Sequence, residues 1–436
     1  MKVSLATLFT AASLACVASA APVAPSGGQF SALTLNVAGL PGIISSGNPE
    51  KNTAAMGQRI ANFDLINVQE DFNYHATLYA NDKHPHRTPT SGGVPFGSGL
   101  NTLSNLPYID FQRIKWKTCA NASGADCLTL KGFTFMRVRL AEGVYIDVYN
   151  LHTDAGSDAA DLSARASNLA QVSDFIHSNS IGNAILVMGD TNTRYTRAGD
   201  TILEFAQRSG LTDAWVQTIL GGVPPRKGAP AIVCADPPTD TCEVVDKFLY
   251  RGNTVVNLNA VGYKNQNAAF LDEQGKPLSD HYPLSADFKY TLSDSVRMSD
   301  TLGGPHGNYF SMLPSTSKTS AVRSLTLRGG SRLDGVSMTR TDGQTFTYGG
   351  SGGSASTLDL AADEHLTSVT LTQGKKSDKT RVFSARFTTN KGRSVTVGTP
   401  TKEAATYNAP AGWRIAGLWG RAGEEVDRLG VIYTLI

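Results

Sequence analysis

The chain has 436 residues, more than a single hydrophobic core usually supports, so two domains are expected. Hydrophobic residues make up 41% of it and charged residues 17%, which excludes a fibrous or intrinsically disordered chain. Residues 296–436 carry a net charge of +6 and residues 21–295 a net charge of −5, so the first part lacks the basic balance of a dedicated nucleic-acid binder, although bound divalent cations could supply positive charge.

The chain begins with the pattern of an export signal. Lys2 precedes an apolar run over residues 3–17, and Ala18-Ser19-Ala20 has the small side chains of a signal-peptidase site. The run is too short and too rich in alanine for a transmembrane anchor. We therefore expect residues 1–20 to be removed and the mature protein to be secreted and soluble.

Four cysteines follow the signal, in two close pairs within polar loops: Cys119, Cys127, Cys234 and Cys242. Three connectivities are possible, and we expect pairing within each loop because it demands nothing of the fold. The spacing is not that of a cysteine metal site. Asn121-Ala122-Ser123, in the first loop, is the only N-glycosylation acceptor and is expected to be exposed.

In the first part of the chain, runs predicted to be strands end in polar residues. Four runs are each followed by polar residues: run 30–35 by Asn36, run 65–69 by Glu70, run 144–151 by His152, and run 185–188 by Gly189-Asp190-Thr191-Asn192. A fifth run, 284–288, is preceded by Asp280 and His281. Helical patterns, such as residues 161–177, lie between these runs. The alternation predicts an α/β four-layer sandwich, two packed sheets flanked by helices, with its site along one sheet edge.

These polar residues suit hydrolysis assisted by a hard metal ion. Oxygen donors without sulfur favour Mg²⁺, or Mn²⁺ or Ca²⁺, and the donors are Asn36, Glu70, Asp190, Asn192 and Asp280. His152 and His281 can move protons near neutral pH. Since no nucleophile motif and no P-loop occurs, the set predicts metal-assisted hydrolysis of a phosphate ester. Taken alone, Gly-Asp-x-Asn is more often a simple turn.

Five motifs carry a resemblance: Leu35-Asn36-Val37-Ala38-Gly39-Leu40-Pro41, Val68-Gln69-Glu70-Asp71, Asn150-Leu151-His152, Gly189-Asp190-Thr191-Asn192 and Ser279-Asp280-His281-Tyr282-Pro283. In this order they resemble the endonuclease/exonuclease/phosphatase superfamily over residues 28–290. The resemblance implies a metal bound by Glu70 with Asn36 and Asp280. It also implies that His281 is a general base oriented by Asp246, that Asp190 positions the nucleophile, and that Asn192 and His152 contact the phosphate or leaving group.

The substrate is less defined than the family. Residues 36–41 and 86–93 look closest to secreted sphingomyelinases, which favours a phospholipid-headgroup phosphodiesterase that is a monomer and contacts membranes peripherally. An extracellular nuclease, with residues 221–228 supplying a basic groove, is the alternative. Asn105 occupies a position at which relatives carry a basic residue. The sequence therefore does not identify the residue that binds the leaving group. His84 and His86 are interpreted as solvated loop histidines.

After a polar stretch interpreted as a linker, residues 291–300, the pattern changes to short alternating runs with turn glycines, which predicts an all-β domain over residues 301–436. This domain resembles the jacalin-related lectins, a β-prism family, on Gly303-Gly304-x-x-Gly307, Leu333-Asp334-Gly335-Val336, Tyr348-Gly349-Gly350-Ser351-Gly352-Gly353, Thr389-Asn390-Lys391-Gly392 and Leu418-Trp419-Gly420-Arg421-Ala422-Gly423.

The lectin family's sugar loop, Gly-x-x-x-Asp, is matched by Gly423-Glu424-Glu425-Val426-Asp427. The resemblance implies that Asp427 accepts hydrogen bonds from sugar hydroxyls, while N–H groups of Glu424, Glu425 and the Gly304 region donate. The two glutamates could repel anionic sugars. We expect the lectin to tether an enzyme to glycosylated surfaces. The alternatives are a lapsed sugar site and a glycan-binding protein whose catalytic half is vestigial.

Overall fold

The computed structural model describes residues 26–42, 48–122 and 126–436, so the expected signal sequence and Ser123 lie outside the described residues. The first part contains, in chain order, β1 (Gly27–Asn36), α1 (Pro49–Ile60), β2 (Leu65–Gln69), α2 (His75–Asn81), β3 (His86–Arg87), β4 (Asn101–Ser104), β5 (Tyr108–Lys115), β6 (Gly132–Ala141), β7 (Val144–His152), α3 (Ala159–Asn179), β8 (Ala184–Asp190), α4 (Ile202–Ser209), β9 (Thr212–Asp213), α5 (Ala214–Thr218), β10 (Asp246–Arg251), β11 (Val256–Asn265) and β12 (Leu284–Leu292). No helix among these residues is long and apolar enough to cross a membrane.

Local sequence accounts for several helix ends. Asn48 accepts a hydrogen bond from the backbone N–H of Lys51 and is followed by Pro49, so α1 begins with an N-cap residue and a proline in its first turn. The helix α4 ends at Gly210, whose φ of 64° is the left-handed conformation that glycine adopts without a Cβ clash.

Two sheets pack face to face in the order β11-β12-β1-β2-β4-β3 and β5-β6-β7-β8-β10-β9. The amide of Asn67 crosses between them to the carbonyls of Tyr149 and Met188, at 3.1 Å each. Apolar residues of α1 and α2 cover the outer face of the first sheet, and those of α3 and α4 cover the outer face of the second. The predicted four-layer sandwich is confirmed, and the helix predicted over residues 161–177 is α3.

Strand register brings the polar strand ends to one edge, which we call the catalytic edge. The parallel strands β1 and β2 pair Asn36 with Gln69, directly before Glu70. In the second sheet, β7 and β8 pair His152 with Asp190, and antiparallel β10 pairs Asp246 with the same Asp190. Five chain segments that are distant in sequence therefore meet at this edge.

The second part of the chain is all β. It contains β13 (Val296–Met298), β14 (Leu302–Gly303), β15 (Asn308–Ser311), β16 (Val322–Gly329), β17 (Leu333–Arg340), β18 (Thr345–Gly349), β19 (Ser354–Asp359), β20 (Leu366–Lys376), β21 (Lys379–Thr389), β22 (Ser394–Gly398), β23 (Glu403–Asn408), β24 (Trp413–Ala422) and β25 (Val426–Leu435). These strands form three sheets that enclose a common apolar core, the predicted β-prism.

The stretch interpreted as a linker takes part in both domains. Thr291 and Leu292 end β12, and Val296–Met298 pair with β25 of the prism. Asp300 then accepts hydrogen bonds from the backbone N–H of Gly143, at 2.9 Å, and from the hydroxyl of Tyr145, at 2.7 Å. These contacts fix the prism against the first domain, at the end of the sandwich where β7 begins.

Candidate active site

Asp190 is the centre of the catalytic edge. Its carboxylate is buried, and Oδ2 lies 3.3 Å from Nδ2 of Asn36, 3.3 Å from Nε2 of His152 and 3.6 Å from Nε2 of His281. Oδ1 accepts from the backbone N–H of Asn192 at 3.0 Å. Burial raises the pKa of Asp190 to about 6, although the charge of His281 opposes this. The structure thus gathers four predicted site residues on one carboxylate.

His281 is held between two carboxylates. Its Nδ1 lies 2.9 Å from Oδ2 of buried Asp246, which fixes the ring so that Nε2 faces Asp190. Burial alone would lower the pKa of His281, but Asp246 and Asp190 hold it well above its ordinary value. This is the geometry of a base oriented by an acid, as the family resemblance implied.

Glu70 joins the same cluster through Asn36. The amide Nδ2 of Asn36 lies 3.2 Å from Oε1 of half-buried Glu70, and the backbone of Asn36 is held by the hydroxyl of Ser279 at 2.6 Å. Glu70 and Asn192 have φ values of 55° and 48°. Left-handed backbone is costly for residues with a Cβ, and it aims both side chains at the catalytic edge.

Asp280 is the exposed member of the predicted set. Its side chain is exposed, and it accepts a hydrogen bond from the neighbouring Ser279 at 3.4 Å. It lines a cavity of about 300 Å³ together with Asn192, Asp246 and His281. Asp280 therefore borders the solvent-accessible part of the site.

The donor set fits a metal ion. One ligand atom each from Asp190, Asp246 and His281 lies within 4.8 Å of the others. Oδ1 of Asp246 is buried and has no hydrogen-bond partner, which is costly unless a ligand satisfies it. The amide nitrogen of Asn36 contacts both the Glu70 and the Asp190 carboxylates, so Glu70 adds a further carboxylate to this donor set. Carboxylate and amide oxygens suit a hard divalent cation.

His152 contacts Lys131, a residue that the sequence did not indicate as part of the site. The amine of Lys131 lies 3.1 Å from Nε2 of His152 and forms an ion pair with Asp126. Burial, together with the charges of Lys131 and His281, lowers the pKa of His152 well below its ordinary value, so this ring is neutral. Lys131 follows the first cysteine loop, and no local pattern marks it as a site residue.

Both local disulfides predicted from the spacing are formed, Cys119–Cys127 and Cys234–Cys242. Asn121 is exposed in the first loop, as expected for a glycosylation acceptor. The interpretation of His84 as a solvated histidine is wrong. His84 is buried, with Nδ1 2.5 Å from Asp82 and Nε2 2.6 Å from the carbonyl of Phe63.

The predicted sugar loop borders a second cavity, of about 460 Å³. Glu425 receives two hydrogen bonds from Arg332, at 2.9 and 2.8 Å, and a salt bridge from Lys376. Buried Asp427 forms an ion pair with Arg381, so a sugar hydroxyl would share that carboxylate with a guanidinium. Arg332 and Lys376 neutralise the charge of Glu425, one of the two glutamates expected to repel anionic sugars.

Two glycines bring the backbone close to Asp427. The N–H of Gly304 donates to the carbonyl of Asp427 at 2.8 Å, so this N–H is already paired inside the protein. A Cβ on Gly307, which has a φ of 67°, would lie 2.3 Å from the Asp427 carboxylate. Gly423 and Glu424 are exposed beside them.

Comparison with known proteins separates the two halves. Residues 51–219 match the family model "Endonuclease/Exonuclease/phosphatase family 2", and residues 299–432 match the "Jacalin-like lectin domain". Horcolin from Hordeum vulgare is 32% identical over 117 residues, covering 26% of this chain and 80% of that protein. The chain joins an endonuclease/exonuclease/phosphatase domain to a jacalin-like lectin domain.

The endonuclease/exonuclease/phosphatase domain has sphingomyelinases among its sequence relatives. The sphingomyelinase of Mycobacterium tuberculosis is 41% identical over 278 residues, which cover 62% of this chain and 54% of that protein. The chain thus spans about half the length of the sphingomyelinases it matches. Sphingomyelinase C from Streptomyces griseocarneus, a solved structure, is 18% identical with a TM-score of 0.41 and covers 60% of this chain and 99% of that one.

Proposed function

We propose that the chain is a secreted, metal-dependent phosphodiesterase that hydrolyses a phospholipid headgroup, in the manner of sphingomyelinase C, and that its jacalin-like domain binds glycans. One observation carries the catalytic part of this proposal. Asn36, His152 and His281 converge on Asp190, and Glu70 contacts the same Asn36. The 41% identity with a sphingomyelinase supports the lipid substrate.

Glu70 and Asn36, with Asp190 and Asp246 nearby, would hold Mg²⁺, Mn²⁺ or Ca²⁺. When bound, such an ion stabilises negative charge on the phosphate. It would also offset the carboxylates that raise the pKa of His281. His281 then takes a proton from water as the water oxygen bonds to phosphorus. The bond from phosphorus to the lipid oxygen breaks, and that oxygen leaves as an alcohol with a proton from solvent. His152 and Lys131, whose nitrogens lie 3.1 Å apart, would stabilise the phosphate oxygens that gain charge.

Substrate panels separate this proposal from its alternatives. We expect the purified full chain to cleave sphingomyelin in the presence of Mg²⁺ but not with excess EDTA, and to cleave plasmid DNA poorly. Glu70→Gln and His281→Gln should each lower turnover by about a thousandfold, since each removes a group that acts on the reacting atoms. The controls are Glu273→Gln, exposed in the first domain, and His365→Gln, half-buried in the prism.

Full turnover by both site variants would refute the active-site assignment. DNA cleavage without lipid cleavage would favour the nuclease, and binding of glycans without any hydrolysis would favour a vestigial catalytic domain. Mass spectrometry of the secreted product would locate its first residue, for which Ala21 is expected, and would report whether Asn121 is glycosylated.

The glycan part of the proposal is tested separately. On a glycan array, Asp427→Asn should weaken sugar binding at least tenfold, because the loop loses the carboxylate that accepts from sugar hydroxyls. Hydrolysis of a soluble diester should be unchanged. Exposed Asp342→Asn, elsewhere in the prism, is the control. An array signal that survives Asp427→Asn would mean that this loop is not the sugar site.

A further inference from the structure

Arg194 is a half-buried arginine at the catalytic edge that no step of the proposed hydrolysis uses. It follows Asn192 by two residues and lines the cavity of about 300 Å³ that also contains Asp246 and His281. Among the described residues that line this cavity, Arg194 is the only arginine or lysine. It therefore borders the same space as the proposed general base.

The side chain of Arg194 has no partner among the described residues. Its Nε is buried without a hydrogen bond, and its guanidinium forms no ion pair with any described carboxylate. Two of its charged neighbours, Arg197 and Lys247, are themselves cations and therefore repel it. Removing a charged group from water without a partner is costly, unless a ligand of opposite charge satisfies it.

The carboxylates that share the cavity with Arg194 have other partners or face solvent. Glu243 accepts two hydrogen bonds from residues 195–196, one from a backbone N–H and one from a hydroxyl. Asp246 orients the proposed base at 2.9 Å, and Asp280 is exposed. These carboxylates therefore do not account for an arginine at this position.

The backbone of Arg194 is fixed by a buried carboxylate, that of Asp200. The N–H of Arg194 donates to Asp200 at 2.8 Å, and Arg165 donates to the same carboxylate at 3.0 and 2.8 Å. Arg197 pairs with Asp200 at 3.1 Å and donates to the carbonyl of Asn192 at 2.9 Å. Two of the three arginine side chains around Asp200 are thus neutralised, whereas Arg194 is held by its backbone and keeps a free guanidinium.

The position of Arg194 complements that of Lys131. In the second sheet, β7 and β10 flank β8, so His152 and Asp246 lie on opposite sides of Asp190. Lys131 contacts His152, on the β7 side, and Arg194 lines the cavity on the β10 side. A phosphate placed at Asp190 would therefore have a cation on each side.

A guanidinium is well suited to that ligand. Its planar fork donates two parallel hydrogen bonds to the oxygens of a phosphate, and it keeps its proton at every pH at which a protein is folded. Because the side chain of Arg194 is not engaged within the protein, it can bind such an anion without first breaking an ion pair.

We propose that Arg194 binds a non-bridging oxygen of the substrate phosphate, on the side of Asp190 opposite to Lys131, and holds the phosphorus in place for the water activated by His281. This inference rests on the proposed phosphodiesterase function. It assigns a phosphate-binding residue that none of the five strand-end motifs contains.

Thermal unfolding of the full chain tests the inference, with Mg²⁺ present and inorganic phosphate as the probe. Arg194→Met removes the charge and keeps the apolar stem, whereas Arg194→Lys keeps the charge and loses the fork. The control is Arg208→Met, exposed on the helix α4. We expect phosphate to raise the Tm of the unchanged chain and of the control by about 2 °C or more, but not that of Arg194→Met.

The Tm without phosphate separates a binding role from a structural one. Arg194→Met should raise this Tm by about 1–2 °C, because it removes an unpaired, half-buried charge. A residue that stabilises the fold would give the opposite sign. A lower Tm of Arg194→Met without phosphate, or equal protection of this variant and the unchanged chain by phosphate, would overturn the inference.

Steady-state hydrolysis of bis-p-nitrophenyl phosphate, a soluble diester, gives a second readout. We expect Arg194→Met to raise KM, and the inhibition constant of inorganic phosphate, by about tenfold each, while kcat falls by less than about threefold. Arg194→Lys should recover part of both losses, and Arg208→Met should change neither constant. An unchanged KM and inhibition constant in Arg194→Met would also overturn the inference.

The two proposals fail in different ways. If the unchanged chain hydrolyses no phosphodiester, the proposed function fails, while the thermal protection by phosphate still tests Arg194. If the chain hydrolyses the soluble diester and phosphate protects Arg194→Met as it protects the unchanged chain, the proposed function stands and the assignment of Arg194 fails.

Discussion

Lys131 shows how one residue can change the chemistry of its neighbour. Its amine is nearly buried between Asp126 and His152, and its charge helps to keep the His152 ring neutral. A neutral ring beside an ammonium offers both a hydrogen-bonding nitrogen and a positive charge to a phosphate. Asn105, by contrast, bonds to Asp64 at the start of β2, the opposite end of that strand from Glu70, so the expectation that its position bears on leaving-group binding is wrong.

Replacing Lys131 by methionine keeps the length of the side chain and removes the charge. We predict that Lys131→Met lowers kcat for the soluble diester by about 10- to 100-fold, since a charge that stabilises the transition state is lost, and changes KM less. Steady-state kinetics measure both constants. Exposed Lys117→Met, on the same loop, is the control. An unchanged kcat would show that Lys131 is structural.

His84 makes a pH-dependent contribution to stability. Both ring nitrogens face acceptors, Asp82 and the carbonyl of Phe63, and only the protonated ring can donate to both. Burial alone would lower the pKa of His84, but these bonds raise it above its ordinary value. A raised folded-state pKa gives stability that is complete below about pH 6.5, the unfolded value, and is lost as pH rises through the folded value.

We therefore predict that His84→Gln lowers the free energy of unfolding at pH 5.5 by about 1–3 kcal/mol and that the difference shrinks at pH 9. Urea denaturation at the two pH values measures this. The control is His86→Gln on β3. A difference that grows with pH would contradict the assignment of a charged His84.

At the scale of elements, the first cysteine loop is part of the site. Trp116 donates from its indole to the carbonyl of His152 at 2.8 Å, and the backbone of Ala120 donates to Asp154 at 2.8 Å. The Cys119–Cys127 disulfide closes the loop between these contacts and Lys131. Ordering this loop therefore places both Lys131 and the apolar pair Leu128 and Leu130.

Removing that disulfide should affect stability and catalysis together. We predict that the double substitution Cys119→Ser and Cys127→Ser lowers the free energy of unfolding by about 2–3 kcal/mol and lowers kcat as Lys131 loses its fixed position. Chemical denaturation and diester kinetics provide the two readouts. Lys131→Met in the same background should then cost less than it does in the unchanged chain. Equal costs would mean that the loop does not position Lys131.

At the scale of the whole molecule, a buried charge cluster joins the domains. Asp110, in a bulge of β5, accepts from Arg137 of the first domain at 2.9 Å and forms an ion pair with Arg428 of the prism. Arg137 also stacks on Tyr309 at 4.2 Å, and the Tyr309 hydroxyl donates to Asn183 at 2.9 Å. The two domains thus share charged and aromatic contacts.

Asp110→Ala leaves the buried Arg428 without its carboxylate partner, while Arg137 keeps Asp147. We predict a loss of about 3–5 kcal/mol in the free energy of unfolding and, by calorimetry, two separate transitions in place of one. Asp287→Ala, on the exposed side of β12, should change neither. A single transition at an unchanged Tm would show that Asp110 does not couple the domains.

Much of the site could be predicted from sequence because its residues end strands. Asn36, Glu70, His152 and Asp190 follow apolar runs, and strands in one sheet end at a common edge, so local pattern and family motifs suffice to gather them. The local disulfides were predictable for a similar reason, since eight residues separate the cysteines of each pair. The contacts of the residues interpreted as a linker were not predictable, because a three-residue strand such as β13 has too few residues to show a periodicity.

The sequence by itself determined the two domains, the layers of the sandwich and the residues at its catalytic edge, because periodicity and strand-end chemistry are local. The tertiary structure alone decided that Lys131 contacts His152, that Arg381 pairs with Asp427, and that His84 is buried. It also placed the lectin domain against the turn before β7, the end of that strand opposite His152. Each of these depends on contacts between segments that are distant in sequence, or on the packing around a side chain. The local sequence determines neither.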